Sequence, residues 1–277
     1  MTQSFVDSLT VDRLLGSGGF GDVFLAYSDD GQQYAIKSLS KETASIANVE
    51  QEIYAGIQLN HPNIAKYHTH FHDQENFYIV YDYIQGKKKF KIIQTDKLGN
   101  DLITCMTERS YEPFNEIESR NIFKQLVDAV SYCHSQQIVH FDIKLDNIMY
   151  NEDTGKVTLL DFGLSDCIVD GEDSFTKRVG SNEYHAPELL QSRIQSFSGT
   201  KVDIWTLGVV FFTLLTARFP LTKQKREDVV RGKGLELTYG DQPVSIVARD
   251  LVSKMLDPNP DTRITMSEVI SHPFFEI

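Results

Sequence analysis

Short β-prone runs crowd the first part of the chain, at 11–15, 22–27 and 33–39. Turn compositions separate them, Gly16-Ser-Gly-Gly-Phe-Gly21 and Ser28-Asp-Asp-Gly31. From 41 to 59 the apolar positions Ile46, Val49, Ile53 and Ile57 recur every three or four residues, which predicts a helix. Pro62 ends it, because the residue before a proline is pushed out of the α region. Two more strands are expected at 64–72 and 77–84. Beyond Gly99 helical spacing takes over, at 117–134, 202–217, 244–256 and 265–271. The longest apolar run, 204–217, is too short to span a bilayer and reads as a helix buried in a core. The chain thus divides into a β-rich N-terminal part and a helical C-terminal part, joined near 82–100.

With 277 residues, 41% of them apolar and 24% charged, the chain can bury a full core, which excludes disorder and collagen-like repeats. Its 27 basic and 39 acidic residues leave a net charge of −12. That balance argues against nucleic acid or an anionic membrane as partner, since both need a basic surface. Cys105, Cys133 and Cys167 are far apart and show no C-x-x-C spacing, so neither a zinc site nor a disulfide framework is expected. An intracellular, reducing compartment fits them. Residues 1–7 lack a basic stretch followed by an apolar one, so no signal peptide is expected.

Gly16-Ser17-Gly18-Gly19-Phe20-Gly21 lies between two predicted strands, where glycines let the backbone approach a phosphate and present its N–H groups. A dinucleotide-binding fold would put such a loop before a helix, whereas here Val23 follows in a strand. Lys37 ends the apolar run Tyr34-Ala35-Ile36, and the helical segment supplies a carboxylate, Glu52, able to hold it as a cation aimed at phosphate. His140-Phe141-Asp142-Ile143-Lys144 leads to Asn147, and Asp161-Phe162-Gly163 begins 19 residues after Asp142. Phosphoryl transfer asks for this set: a carboxylate to accept a hydroxyl proton, oxygen ligands for a divalent metal, and a cation to offset moving charge.

Together these segments resemble the eukaryotic protein kinases, with further matches at Ala186-Pro187-Glu188, Asp203-Ile204-Trp205-Thr206-Leu207-Gly208 and Arg263. The resemblance implies an α+β, two-lobed fold over 11–277. A small antiparallel sheet with one helix (11–84) would be joined to a larger, mainly helical lobe (99–277), with 85–98 an insertion at the connector. It implies that Leu15, Gly16, Ser17, Gly18, Gly19, Phe20, Gly21, Val23, Ala35, Asp82 and Ile84 surround ATP. Lys37 would bind its α- and β-phosphates and pair with Glu52. Asp142 would be the catalytic base, Lys144 would contact the γ-phosphate, and Asn147 and Asp161 would hold Mg²⁺, with Mn²⁺ as the alternative. Asp142-Ile143-Lys144 and Gly180-Ser181 resemble the serine/threonine branch, so a protein hydroxyl is the expected acceptor. Asp101 and Asp146 match positions where basophilic relatives receive arginines N-terminal to the acceptor. The competing readings are a scaffold of pseudokinase type and a small-molecule kinase of related fold. The first is weakened because Lys37, Asp142, Asn147 and Asp161 are all present, the second by the Ala-Pro-Glu and Asp-x-Trp-x-x-Gly segments. A monomer is the default expectation.

Three departures matter. Phe141 stands where most of the family has an arginine that reads a phosphate on the activation segment, so activity is expected not to depend on phosphorylation of Ser174 or Thr176. Gly56 replaces a bulky apolar residue under the helix, leaving either Tyr67 to fill the space or a helix that swings easily. Residues 82–84 or, alternatively, 95–98 form the connector at the adenine, and the basic patch Lys87-Lys88-Lys89-Phe90-Lys91 reads as a solvated loop.

Overall fold

In a computed structural model, residues 3–18, 21–84, 100–190, 196–221, 223–230 and 234–276 are described. A short helix α1 (Gln3–Asp7) precedes β1 (Thr10–Gly18), β2 (Gly21–Tyr27) and β3 (Gln33–Ser40), and after α2 (Ile46–Gln58) come β4 (Tyr67–His72) and β5 (Asn76–Asp82). The strands form one antiparallel sheet in the order β1-β2-β3-β5-β4. In this register the central β3 sets Ala35 opposite Leu25 and Tyr81, and Lys37 opposite Val23 and Ile79. Ala35 and Lys37, two residues apart, share one face of the sheet.

The helix begins at Ile46 rather than 41, because the Thr43 and Ala44 N–H groups turn back onto the Ser40 carbonyl and Ser45 is extended. Likewise β4 starts at Tyr67, not 64. The Ala65 N–H donates to Leu159 O at 3.0 Å and the Leu159 N–H to Asn63 O at 2.8 Å, so residues 63–65 pair with the other lobe instead of the sheet.

That lobe comprises β6 (Asn100–Asp101), α3 (Leu102–Glu108), α4 (Glu116–Ser135), β7 (Ile138–Val139), β8 (Ile148–Asn151), β9 (Lys156–Leu159), β10 (Asp166–Cys167), α5 (Gly199–Thr216), α6 (Lys223–Val230), α7 (Ile246–Met255) and α8 (Met266–Ile270). A capping box of Asn115 and Glu118 starts α4. The α5 helix begins three residues earlier than its apolar pattern, because Ser198 caps the Lys201 N–H. Its side chains are nearly all buried, and Phe123 of α4 stacks on Phe211 at 4.2 Å. By length and composition α5 is the one helix among the described residues that could cross a membrane, yet it is the centre of this core. The spacing missed α3 and α6, one only seven residues long and the other, KQKREDVV, almost wholly polar. The whole is an α+β fold of two lobes. Gly19, Phe20 and 85–98, with the basic patch and the second connector, lie outside the described residues.

Candidate active site

A cavity of about 300 Å³ opens where the sheet faces the helical lobe. Leu15, Gly16, Ser17, Gly18, Gly21 and Val23 line it from the β1–β2 hairpin, Ala35 and Lys37 from β3, and Asp82, Tyr83 and Ile84 from the end of β5. Asn147, Met149, Leu160 and Asp161 close it from the other lobe. Glycine is required at Gly21, where φ is +103° and a Cβ would fall 2.2 Å from the Ser38 carbonyl oxygen. Every residue proposed from the sequence to surround ATP borders this space among the described residues, 82 and 84 included, as do Lys37, Asn147 and Asp161; Lys144 does not. Asp146, named from the sequence only for its match to basophilic relatives, also lines it, as do Met149, Leu160 and Ala65; spacing left these three anonymous, although Leu160 directly precedes Asp161.

At the back of the cavity Lys37 Nζ donates to both Glu52 oxygens (2.7 and 2.8 Å) and to Asp161 Oδ1 (3.0 Å). Burial opposes the Lys37 charge, but the two carboxylates outweigh it and hold its pKa above the ordinary value. Burial likewise works against Asp161, and there Lys37 wins and holds the carboxyl below its usual range. Glu52 is pushed up by burial and pulled back in part by Lys37 and by the Tyr81 hydroxyl, which donates to Oε1 at 2.9 Å. The Asp161 backbone is left-handed, φ +60°, a strained conformation held by these contacts and by the Gly163 N–H on Oδ1.

The second cluster reaches the same cavity through Asn147. Asn147 Nδ2 donates to Asp142 Oδ2 (3.0 Å) and to the Asp142 carbonyl (2.9 Å), while Lys144 Nζ donates to Oδ2 at 2.6 Å. Ser181 supplies both its N–H and its hydroxyl to Asp142 Oδ1, at 3.1 and 2.9 Å, and accepts from Lys144 at 2.9 Å. Asp142 and Lys144 are buried and stand beyond the cavity lining proper. The loop rides on α5: Asp203 accepts from the His140 and Phe141 N–H groups, each at 2.9 Å. His140 Nδ1 accepts from the Asp142 N–H and Nε2 faces the Leu160 carbonyl at 3.0 Å, which assigns a neutral ring protonated on Nε2.

The protein kinase domain, as a sequence family, matches residues 9–275. This chain belongs to the protein kinase family. The kinase domain is 32% identical over 261 residues to sperm motility kinase 2B of Mus musculus, covering 94% of this chain and 50% of that protein. It is 30% identical over 279 residues to an Aurora kinase of Dictyostelium discoideum (98% and 66%) and 31% identical over 284 residues to CBL-interacting protein kinase 30 of Oryza sativa subsp. japonica (99% and 56%). The chain thus spans between half and two-thirds of the length of these relatives.

Two departures of this kinase domain from its family have structural answers. Phe141, buried and at φ +64°, sets its ring edge-on to Phe175 of the activation segment at 5.0 Å and to Phe197 at 6.2 Å. Phe175 and Phe197 exchange backbone hydrogen bonds at 2.9 Å. Asp173, two residues earlier, accepts from the Gly199 N–H (2.7 Å) and the Thr200 hydroxyl (2.6 Å) at the start of α5. A Cβ at Gly199 would fall 2.7 Å from the Phe175 ring and 2.9 Å from the Phe141 ring, so a side chain there would displace this packing. Gly56 is the second case: a Cβ there would lie 2.9 Å from the Tyr67 side chain, so Tyr67 fills the space.

Proposed function

We propose that the chain is a protein serine/threonine kinase, transferring the γ-phosphoryl group of ATP to a hydroxyl of a protein substrate. The observation that carries this reading is the buried Asp142 carboxylate, held by Lys144, Asn147 and Ser181 beside a cavity whose far wall carries the Lys37–Glu52–Asp161 cluster. In the reaction the acceptor oxygen bonds to the γ-phosphorus, the bond from that phosphorus to the β–γ bridging oxygen breaks, and ADP leaves. Asp142 takes the hydroxyl proton. Lys144, paired with Asp142 and Ser181, offsets the charge of the moving group, and Lys37 orients the α- and β-phosphates.

Asn147 Nδ2 is committed to Asp142, leaving the amide oxygen, and Asp161 adds a carboxylate; these hard oxygen donors fit Mg²⁺. A metal held by Asn147 and Asp161 would neutralise phosphate charge.

We further propose that the activation segment needs no phosphate. Ser174 and Thr176 are exposed on either side of the inward Phe175, and the aromatic contacts with the Asp173 cap supply the hold that a phosphate–arginine pair would give. A Ser174→Ala/Thr176→Ala variant is expected to keep its kcat within about twofold of wild type, the small effect usual for exposed positions. Loss of most of the turnover in steady-state assays would count against it. The substrate reading extends to basic peptides, supported by the net charge of −12 and by Asp146 on the cavity rim. Radiolabelled ATP and a degenerate peptide library test both levels. Label on serine or threonine supports the activity, and a kcat/KM advantage for Arg-x-x-Ser over Ala-x-x-Ser that shrinks with salt supports the preference. An intracellular site of action is supported by the three cysteines, none of which is in a disulfide.

A further inference from the structure

We propose that the Tyr81 hydroxyl is a positioning group of this site: by donating to Glu52 it holds α2 inward and fixes Lys37 for the ATP phosphates. The inference rests on the kinase reading above. Tyr81 forms part of the cavity wall, and its Oη lies 2.9 Å from Glu52 Oε1, the oxygen that also accepts from Lys37 at 2.7 Å. Glu52 is 2% exposed, and a carboxylate so deeply placed depends on several donors. Tyr81 provides one that is independent of Lys37, so Glu52 stays in place when Lys37 turns toward a phosphate. Burial and the adjacent carboxylate push the phenol's pKa well above its ordinary value, so it remains a donor across the working pH range.

The surrounding packing brings the two residues within reach. At Gly56, one turn beyond Glu52, α2 comes down directly on Tyr67, whose ring meets Tyr81 edge-on at 6.5 Å. A side chain at 56 would meet the Tyr67 Cβ and ring at 2.9 Å, so only the bare backbone allows so close an approach without a shift. Gly56, Tyr67, Tyr81 and Glu52 therefore make one continuous contact on the inner side of α2. Tyr81 acts through Glu52 and Lys37, not on the reacting atoms.

Tyr81→Phe keeps the ring and deletes the donor. It is expected to lower kcat about tenfold with KM for the protein substrate unchanged, the size of one lost charge-assisted hydrogen bond. On a Glu52→Ala background the same substitution is expected to change kcat less than about twofold, since no acceptor remains. An equal fall in both backgrounds, or none with Glu52 present, overturns the proposal. Hydrogen exchange along 46–58 checks it without turnover: Tyr81→Phe should speed exchange of these amides several-fold, and unchanged exchange overturns the proposal as well. A wild-type chain that labels no peptide would refute the kinase activity, while the exchange comparison would still decide the role of the tyrosine.

Discussion

Asp142→Asn is expected to lower kcat about a thousandfold, within the range a lost general base costs, while ATP affinity stays close to wild type. The amide has nearly the size of the carboxylate, and its single oxygen can keep one of the two positions at which Asp142 accepts, Oδ1 from Ser181 at 2.9 Å or Oδ2 from Lys144 at 2.6 Å. The geometry of the loop is also secured elsewhere, by Asp203 on the His140 and Phe141 N–H groups. Asparagine cannot take the proton of the acceptor hydroxyl, so the loss falls on the chemical step. Single-turnover transfer measured beside calorimetric ATP binding separates the two. A variant that keeps a tenth or more of the wild-type kcat would remove Asp142 from its role as base.

Arg263→Ala is expected to destabilise the helical lobe by about 3–5 kcal/mol, the cost of leaving a buried charge without its partner. Arg263 is 1% exposed. Its guanidinium forks onto both Glu188 oxygens at 2.7 and 2.9 Å, donates to the carbonyls of Lys201 (2.7 Å) and Asp257 (3.0 Å), and lies over the Trp205 ring at 5.0 Å. Truncation strands the Glu188 carboxylate and opens a void beside the tryptophan, so a fall in Tm of about 10 °C should follow. Adding Glu188→Ala should recover part of the loss, because the stranded charge is then gone. Denaturant unfolding showing a change below about 1 kcal/mol would mean that the pair is not the clamp its burial indicates.

The chemistry of this site is written in short segments, which is why so much of it is legible in the chain. Lys37 follows an apolar run inside β3, Asp142 and Asn147 share one loop, and Asp161 opens another, so each is announced by its neighbours. The division into a β-rich and a helical part follows from the change of spacing near 82–100, and the two-lobed fold from the family resemblance. What spacing hides is contact between segments. Tyr81 and Glu52 are 29 residues apart, and nothing local tells a phenol to donate to that carboxylate. The partners of Phe141 are equally silent, because a ring at 141 meets rings at 175 and 197 only once α5 has seated the loop. Element ends slipped for the same reason. Ile64 belongs to a β-prone run, yet residues 63–65 give their backbone to β9, and a pairing across lobes outbids the local pattern.

That cross-lobe pairing has a mechanical consequence. The lobes are joined covalently beyond Asp82, whose own N–H is already bonded to Lys66 O at 2.9 Å, and a second time through Asn63, which reaches Val157 O at 2.7 Å and Gln125 at 2.8 Å. Two fixed points define an axis. A cleft tied at both is expected to open more readily by swinging than by sliding.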